Sequence, residues 1–166
     1  MKTLVLGLGN PILSDDSVGF RVIEQLKARF AKPGLTFTES CTSGLGLLEV
    51  IIGYDKLIII DAIQTKGGQA GEIYKFTLDD LINTRYSSPP HGVNLATAIE
   101  LGKKLGEHLP QQIVVFAIEV ADVTNFSERC TPEVEKAIPL AVGMVAKELK
   151  RPRRFRLSPA KRQFLS

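Results

Sequence analysis

Apolar residues in this chain keep two rhythms in turn, a strand-like run or alternation and a helix-like spacing of three and four. Residues 2–7 (Lys-Thr-Leu-Val-Leu-Gly) read as a first strand. Val18, Val22, Ile23, Leu26 and Phe30 then recur at helical spacing, which predicts a helix up to Pro33-Gly34. Residues 35–40 alternate as a second strand, and Leu45 to Ile52 fits a short helix ended by Gly53. Lys56-Leu57-Ile58-Ile59-Ile60-Asp61 is the continuous kind of run that marks a strand buried on both faces, ending at Asp61. Residues 71–77 alternate again and predict a strand nearer an edge, after a loop short enough for an antiparallel return. Residues 79–92 are mostly polar, contain Pro89-Pro90, and read as loop with one helical turn. Leu95, Ala98, Ile99, Gly102 and Leu105 predict a third helix, and residues 112–120 a second buried strand. Thr131-Pro132-Glu133 opens the last helix with a capping hydroxyl, a proline at the first helical position and an acid in the first turn. That helix should run to about Leu149, with a kink or irregularity at Pro139.

This order predicts a three-layer α/β/α sandwich around a mostly parallel, mixed five-stranded sheet. Residues 1–149 form one domain, and 150–166 a basic tail. Ligands of such sheets sit beyond the carboxyl ends of the strands. The loop after the first strand, Ser40-Cys41-Thr42-Ser43-Gly44 after the second, and Asp61 after the third therefore share one edge.

Gly7-Leu8-Gly9-Asn10-Pro11-Ile12-Leu13-Ser14-Asp15-Asp16 forms the first of these loops. A Gly-x-Gly turn suggests phosphate, but two carboxylates at its end repel an anion and attract a cation. The dinucleotide pattern also needs a third glycine where Ile12 stands, although Glu39 imitates its ribose-binding acid. Taken singly, Ser14, Asp15 or Asp16 would cap the first helix. Asp61 follows three isoleucines, where a buried charge costs several kcal/mol unless it is paired or metal-bound. His91 stands between Pro89-Pro90 and Gly92 at the mouth of the third helix, whereas His108 suits a helix end. Asp16, Asp61 and His91 together offer two carboxylates and one imidazole from three loops. That set suits a divalent transition metal with open positions, and zinc, nickel and cobalt fit it about equally. A Cys41–His91 nucleophilic pair lacks a third, orienting residue.

Composition narrows the classes. At 166 residues, 44% hydrophobic and 23% charged, the chain is an ordinary globular domain. It has no apolar run of the roughly 18 residues a membrane span needs, so a cytoplasmic protein without membrane insertion is expected. Cys41 and Cys130 lack metal-type spacing and read as reduced, buried or half-buried thiols. The net charge of +3 conceals an asymmetry: residues 150–166 hold seven of the 21 basic residues and no acid, leaving 14 basic against 18 acidic residues, or −4, in the body. A mildly acidic body does not suit nucleic acid as a partner.

These residues resemble the hydrogenase maturation proteases, endopeptidases that finish the large subunit of nickel–iron hydrogenases. The likeness spans about residues 2–148 and rests on four segments in order. They are the strand and loop Leu4 to Gly19 with Gly7, Gly9, Asn10, Asp15 and Asp16, the strand Ile58-Ile59-Ile60-Asp61-Ala62, His91 with the helix to Leu95, and Thr131-Pro132-Glu133-Val134. Two departures accompany it. Glu39-Ser40-Cys41-Thr42-Ser43-Gly44 stands where relatives carry Asp-Gly-Gly-Thr-x-Gly, and Ser17 where many carry glycine. The resemblance implies a phosphorylase/hydrolase-like fold and a monomeric endopeptidase. Its catalytic and metal-contacting residues would be Asp16, Asp61 and His91, engaging nickel already inserted in the substrate, with zinc or another divalent ion possible in its place. Gly7, Gly9, Asn10, Thr42 and Gly44 would bind the substrate chain. The expected partner is the precursor of a nickel–iron hydrogenase large subunit, which loses a short C-terminal peptide. A metal-binding assembly chaperone is the non-enzymatic alternative. Peptidyl-tRNA hydrolases share the Gly-x-Gly-Asn-Pro opening, but the Arg-His-Asn segment expected after it is missing and position 20 is Phe20.

Overall fold

Continuous apolar runs take the middle of the sheet and alternating ones its edges. In the computed structural model, which describes residues 1–83 and 92–151, β1 (Thr3–Leu8), β3 (Lys56–Ile63) and β5 (Gln112–Glu119) are buried along nearly their whole length. β2 (Leu35–Ser40) and β4 (Ile73–Thr77) are half-covered and flank them in the order β2-β1-β3-β5-β4. The first four strands of that order are parallel, and β4 runs antiparallel to β5. The expected five-stranded mixed sheet is therefore present.

The pleat sends alternate side chains to two apolar layers. Val5, Ile58, Ile60, Val114 and Phe116 meet α1 (Val18–Arg29) and α5 (Pro132–Lys150) on one face. Leu4, Leu6, Leu57, Ile59 and Val115 meet α2 (Gly46–Ile51), α3 (Leu78–Asn83) and α4 (Gly92–Lys104) on the other. None of the described helices is long and apolar enough to cross a membrane.

Several local expectations need correction. α1 stops at Arg29, short of Pro33, because Phe30 turns to extended backbone and a residue before proline resists helical geometry. The return after β3 is antiparallel in direction, but β4 pairs with β5. The connecting loop crosses the end of β5, where the Gly71 amide donates to the Glu119 carbonyl at 2.8 Å. β3 continues past Asp61 to Ile63, so that acid lies inside the strand. α5 passes through Pro139 on its exposed side and ends at Lys150, and residues 152–166 of the basic tail lie outside the described residues. Cys41 is exposed, while Cys130 is buried and burial pushes its thiol up against the opposing pull of the Ser17 hydroxyl 3.5 Å away. His108 lies beyond the end of α4 and meets Asp55 at 2.9 Å instead of a helix terminus.

Two packing features position the rest. A Cβ on Gly19 would stand 2.6 Å from the Leu8 carbonyl oxygen and 2.7 Å from that of Ile60, and one on Gly7 would stand 2.6 Å from the Gly19 carbonyl oxygen. Helix and strands thus touch backbone to backbone. At the opposite end of the sheet, buried Lys56 donates to the Glu148 carbonyl (2.8 Å) and carboxylate (3.3 Å), and Lys75 reaches the same carboxylate at 2.6 Å.

Gly19→Ala should destabilise the fold by about 2–3 kcal/mol, read as a lower urea midpoint, because the atoms a Cβ would meet are backbone atoms of Leu8 and Ile60, which cannot swing aside. For Glu148, burial raises the carboxyl, but the bonds from Lys75 and Lys56 outweigh it and hold the group below the usual glutamate range. A depressed folded value stabilises above the unfolded pKa and is lost as pH falls through the folded one. Between about pH 6 and about pH 3 the urea midpoint should fall more steeply in the wild type than in Glu148→Gln.

Candidate active site

β1 ends at Leu8, and the chain must reverse within a few residues to lay α1 back on the sheet. Gly9 makes the first step with φ of 141°, a conformation that favours glycine, and a Cβ there would collide with the Asp16 carbonyl oxygen. The Asn10 amide donates to that same carbonyl at 3.2 Å, and the Asn10 side-chain oxygen accepts from the Ile12 amide at 3.2 Å. Asn10 therefore holds its own loop. A 3-10 turn, Ser14–Ser17, leads into α1, and neither element has a side-chain cap. The N-cap position of α1 is Ser17, and the carboxylate of Asp15 bonds to residues 121–131 rather than capping the helix.

Asp16 emerges from this turn half-exposed, its carboxyl carbon within 3.8 Å of the point a Gly9 Cβ would occupy. Asp61 is 1% exposed and its Oδ1 accepts from the Ala62 amide at 2.8 Å. The last paired residues of β1 and β3 are Gly7 and Ile60, so Asp61 follows at the level where β1 runs out into Gly9. The two aspartates occupy one sheet edge, at the carboxyl ends of adjacent parallel strands. Strand alternation places Asp61 with Leu57 and Ile59, on the face covered by α4. His91 directly precedes α4 and lies outside the described residues.

The loop after β2 flanks this edge. The Gly9 amide donates to the Ser40 carbonyl at 3.3 Å, and the Ser40 hydroxyl accepts from the Thr42 amide at 3.0 Å. Thr42 is exposed and its methyl lies over Gly46, where no Cβ would fit. Gly44 takes φ of 65° with open space around it. Gly7 lies within β1 against Gly19, and Glu39, the imitation ribose acid, is paired with Lys27 at 2.8 Å.

Buried polar residues near this edge take roles that the sequence did not announce. Asp15 is wholly buried and bonds to residues 121–131. The Thr131 hydroxyl donates to Asp15 at 2.9 Å and does not cap α5. Glu119 ends β5 at 2% exposure, its carboxylate accepting from the Thr65 amide (2.7 Å) and hydroxyl (2.9 Å). An acid closing an apolar run was the signal at Asp61, and the same signal stood at Glu119. Ser17, the departure from the family glycine, is fully buried and donates to the Ser14 carbonyl at 2.7 Å.

Comparison with known proteins agrees with this architecture. The sequence profile described as "Hydrogenase maturation protease" matches residues 20–148. The hydrogenase 2 maturation protease of Escherichia coli K12 is 29% identical over 153 residues, covering 90% of this chain and 92% of that protein. The solved structure of the hydrogenase maturating endopeptidase HybD from E. coli superposes with a TM-score of 0.75 at 28% identity, over 90% of this chain and 92% of that one. The [NiFe] hydrogenase maturation protease HybD from Thermococcus kodakarensis shares the fold, with a TM-score of 0.68 at 23% identity over 91% of this chain and all (100%) of that one.

Gly9→Ala should lower stability by about 2–3 kcal/mol, because the new methyl and the Asp16 carbonyl cannot share one space. Thermal unfolding followed by circular dichroism measures it.

Proposed function

We propose a substrate on one premise: this chain belongs to the hydrogenase maturation protease family and is an endopeptidase of hydrogenase maturation. Its substrate is the nickel-loaded precursor of a nickel–iron hydrogenase large subunit, from which it removes a short C-terminal peptide. The nickel belongs to the substrate. Asp16, Asp61 and His91 engage it, and the protease thereby acts only on a precursor whose metal is in place. Gly7, Gly9 and Asn10 on one side, and Thr42 to Gly44 on the other, frame the groove that receives the substrate chain. The protein works as a monomer in the cytoplasm.

The observation that supports this reading is the placement of Asp16 and Asp61 toward the carboxyl ends of the adjacent parallel strands β1 and β3. Asp16 follows β1, Asp61 lies inside β3 near its carboxyl end, and Asp61 is buried. Two carboxylates at the site favour a cation over an anion, and with an imidazole they form an oxygen and nitrogen donor set suited to nickel. Zinc or another divalent ion satisfies the same donors. The metal, when bound, supplies Lewis-acidic charge beside the scissile peptide. Membership in a family of endopeptidases sets aside the chaperone and the peptidyl-tRNA hydrolase alternatives.

The test uses purified protease with nickel-loaded and nickel-free precursor, read by the mass of the precursor after incubation. Only the loaded form should shorten. Asp16→Asn, Asp61→Asn and His91→Ala should each slow that cleavage by at least about tenfold. Equal shortening of both precursor forms sinks the metal-recognition role.

A further inference from the structure

Of the two neighbouring acids in the opening loop, Asp15 is the wholly buried one. Asp15 is 0% exposed, and its carboxylate receives four donors from a single loop between β5 and α5. Oδ1 accepts from the Thr131 amide (2.6 Å), and Oδ2 from the Ala121 amide (3.0 Å), the Asp122 amide (3.0 Å) and the Thr131 hydroxyl (2.9 Å). Every partner is a donor on both oxygens, so the position requires a group that only accepts. Asparagine would turn an N–H toward at least one of them.

Backbone bonds continue the seam. Ser14 donates to the Ser127 carbonyl and Asp15 to the Asp122 carbonyl, each at 2.9 Å, and Leu13 bridges Ser127. Ser14 itself takes φ of 45°, outside the usual range for a side-chain-bearing residue, and this twist separates the directions of the residues on either side. The loop that receives Asp15 is braced. Asp122 accepts from the Thr124 amide and from the side chain and amide of Asn125, which pull its carboxyl down to about 2.

We propose that Asp15 is the positioning residue of the site, fastening the 3-10 turn to the loop of residues 120–131 so that Asp16 is held over Gly9. The inference rests on the role given to Asp16 above. A side-chain helix cap would bond the first amides of α1, but the Val18 amide donates to the Asp15 carbonyl and the Asp15 carboxylate turns to residues 121–131 instead. Its four donors all belong to residues 121–131 and none to the Gly9 loop. With Asp15 drawn to that segment, the Asp16 carbonyl is left over Gly9, where it accepts the Asn10 amide. The paired acids of the opening loop therefore divide their work, one as anchor and one toward the substrate.

The experiment compares Asp15→Asn and Thr131→Val with Val145→Ala, a core change in α5 that lowers stability without touching the turn. Hydrogen exchange at the Asn10 amide, by NMR, reports whether the Asp16 carbonyl stays in place. Single-turnover cleavage of the nickel-loaded precursor reports function. Asp15→Asn should speed Asn10 exchange and slow cleavage by about tenfold or more, and Thr131→Val should do both a few-fold. Val145→Ala should change neither at a temperature where it is folded. Wild-type Asn10 exchange in folded Asp15→Asn overturns the positioning, as does a cleavage loss matched by Val145→Ala. Should Asp15→Asn not fold, Thr131→Val decides by the same two readings. Faster exchange with undiminished cleavage overturns instead the role assigned to Asp16.

Discussion

The site depends on a steric condition: at Gly19 the backbone of α1 comes directly against the backbone of β1 and β3. Gly7 and Gly19 make this possible, each standing where the other element's carbonyl oxygens leave no room for a Cβ. Close-packed interiors transmit small displacements rather than absorb them. The 3-10 turn is continuous with α1, so the helix position dictates where Asp16 emerges. Dinucleotide-binding loops place a packing glycine soon after the turn. Here Ile12 occupies that place, and Gly19, already within the helix, performs the packing.

The two ends of the sheet use charge differently. Where β3 begins, Lys56 and Lys75 share the one Glu148 carboxylate, which ties α5 to the sheet and leaves that end net positive. At the carboxyl ends, Asp15 and Glu119 are held by backbone amides and threonine hydroxyls. Neutral donors stabilise a carboxylate without cancelling its charge. Together with Asp61 and Asp16, these groups keep that edge negative, as a site for a positively charged guest requires.

Much of this was legible in the chain because it is written in short range. The apolar runs of β3 and β5 announce central strands, the alternation of residues 71–77 announces an edge, and an acid after three isoleucines announces Asp61 as unusual. The Gly7–Asp16 segment was legible as a site because carboxylates replace the features of a phosphate loop. Other features were not legible, since they depend on contacts between distant segments. Nothing local tells which of Asp15 and Asp16 turns inward. That choice is made by residues 121–131, more than a hundred positions later, whose amides converge on one carboxylate. Thr131 has a good capping sequence and still gives its hydroxyl to Asp15, because a buried charge outbids a helix terminus open to water.

By itself, then, the chain determined the order of strands and helices and the layers they form, since periodicity and the direction of parallel strands require no knowledge of distant partners. Tertiary structure alone decided that β4 pairs with β5, that Gly19 admits the helix to the strands, and that Asp15 of the neighbouring pair is buried against residues 121–131 while Asp16 stays half-exposed. These are questions of which groups meet in space, and a hydrogen bond or a steric contact is indifferent to how far apart its two ends lie along the chain.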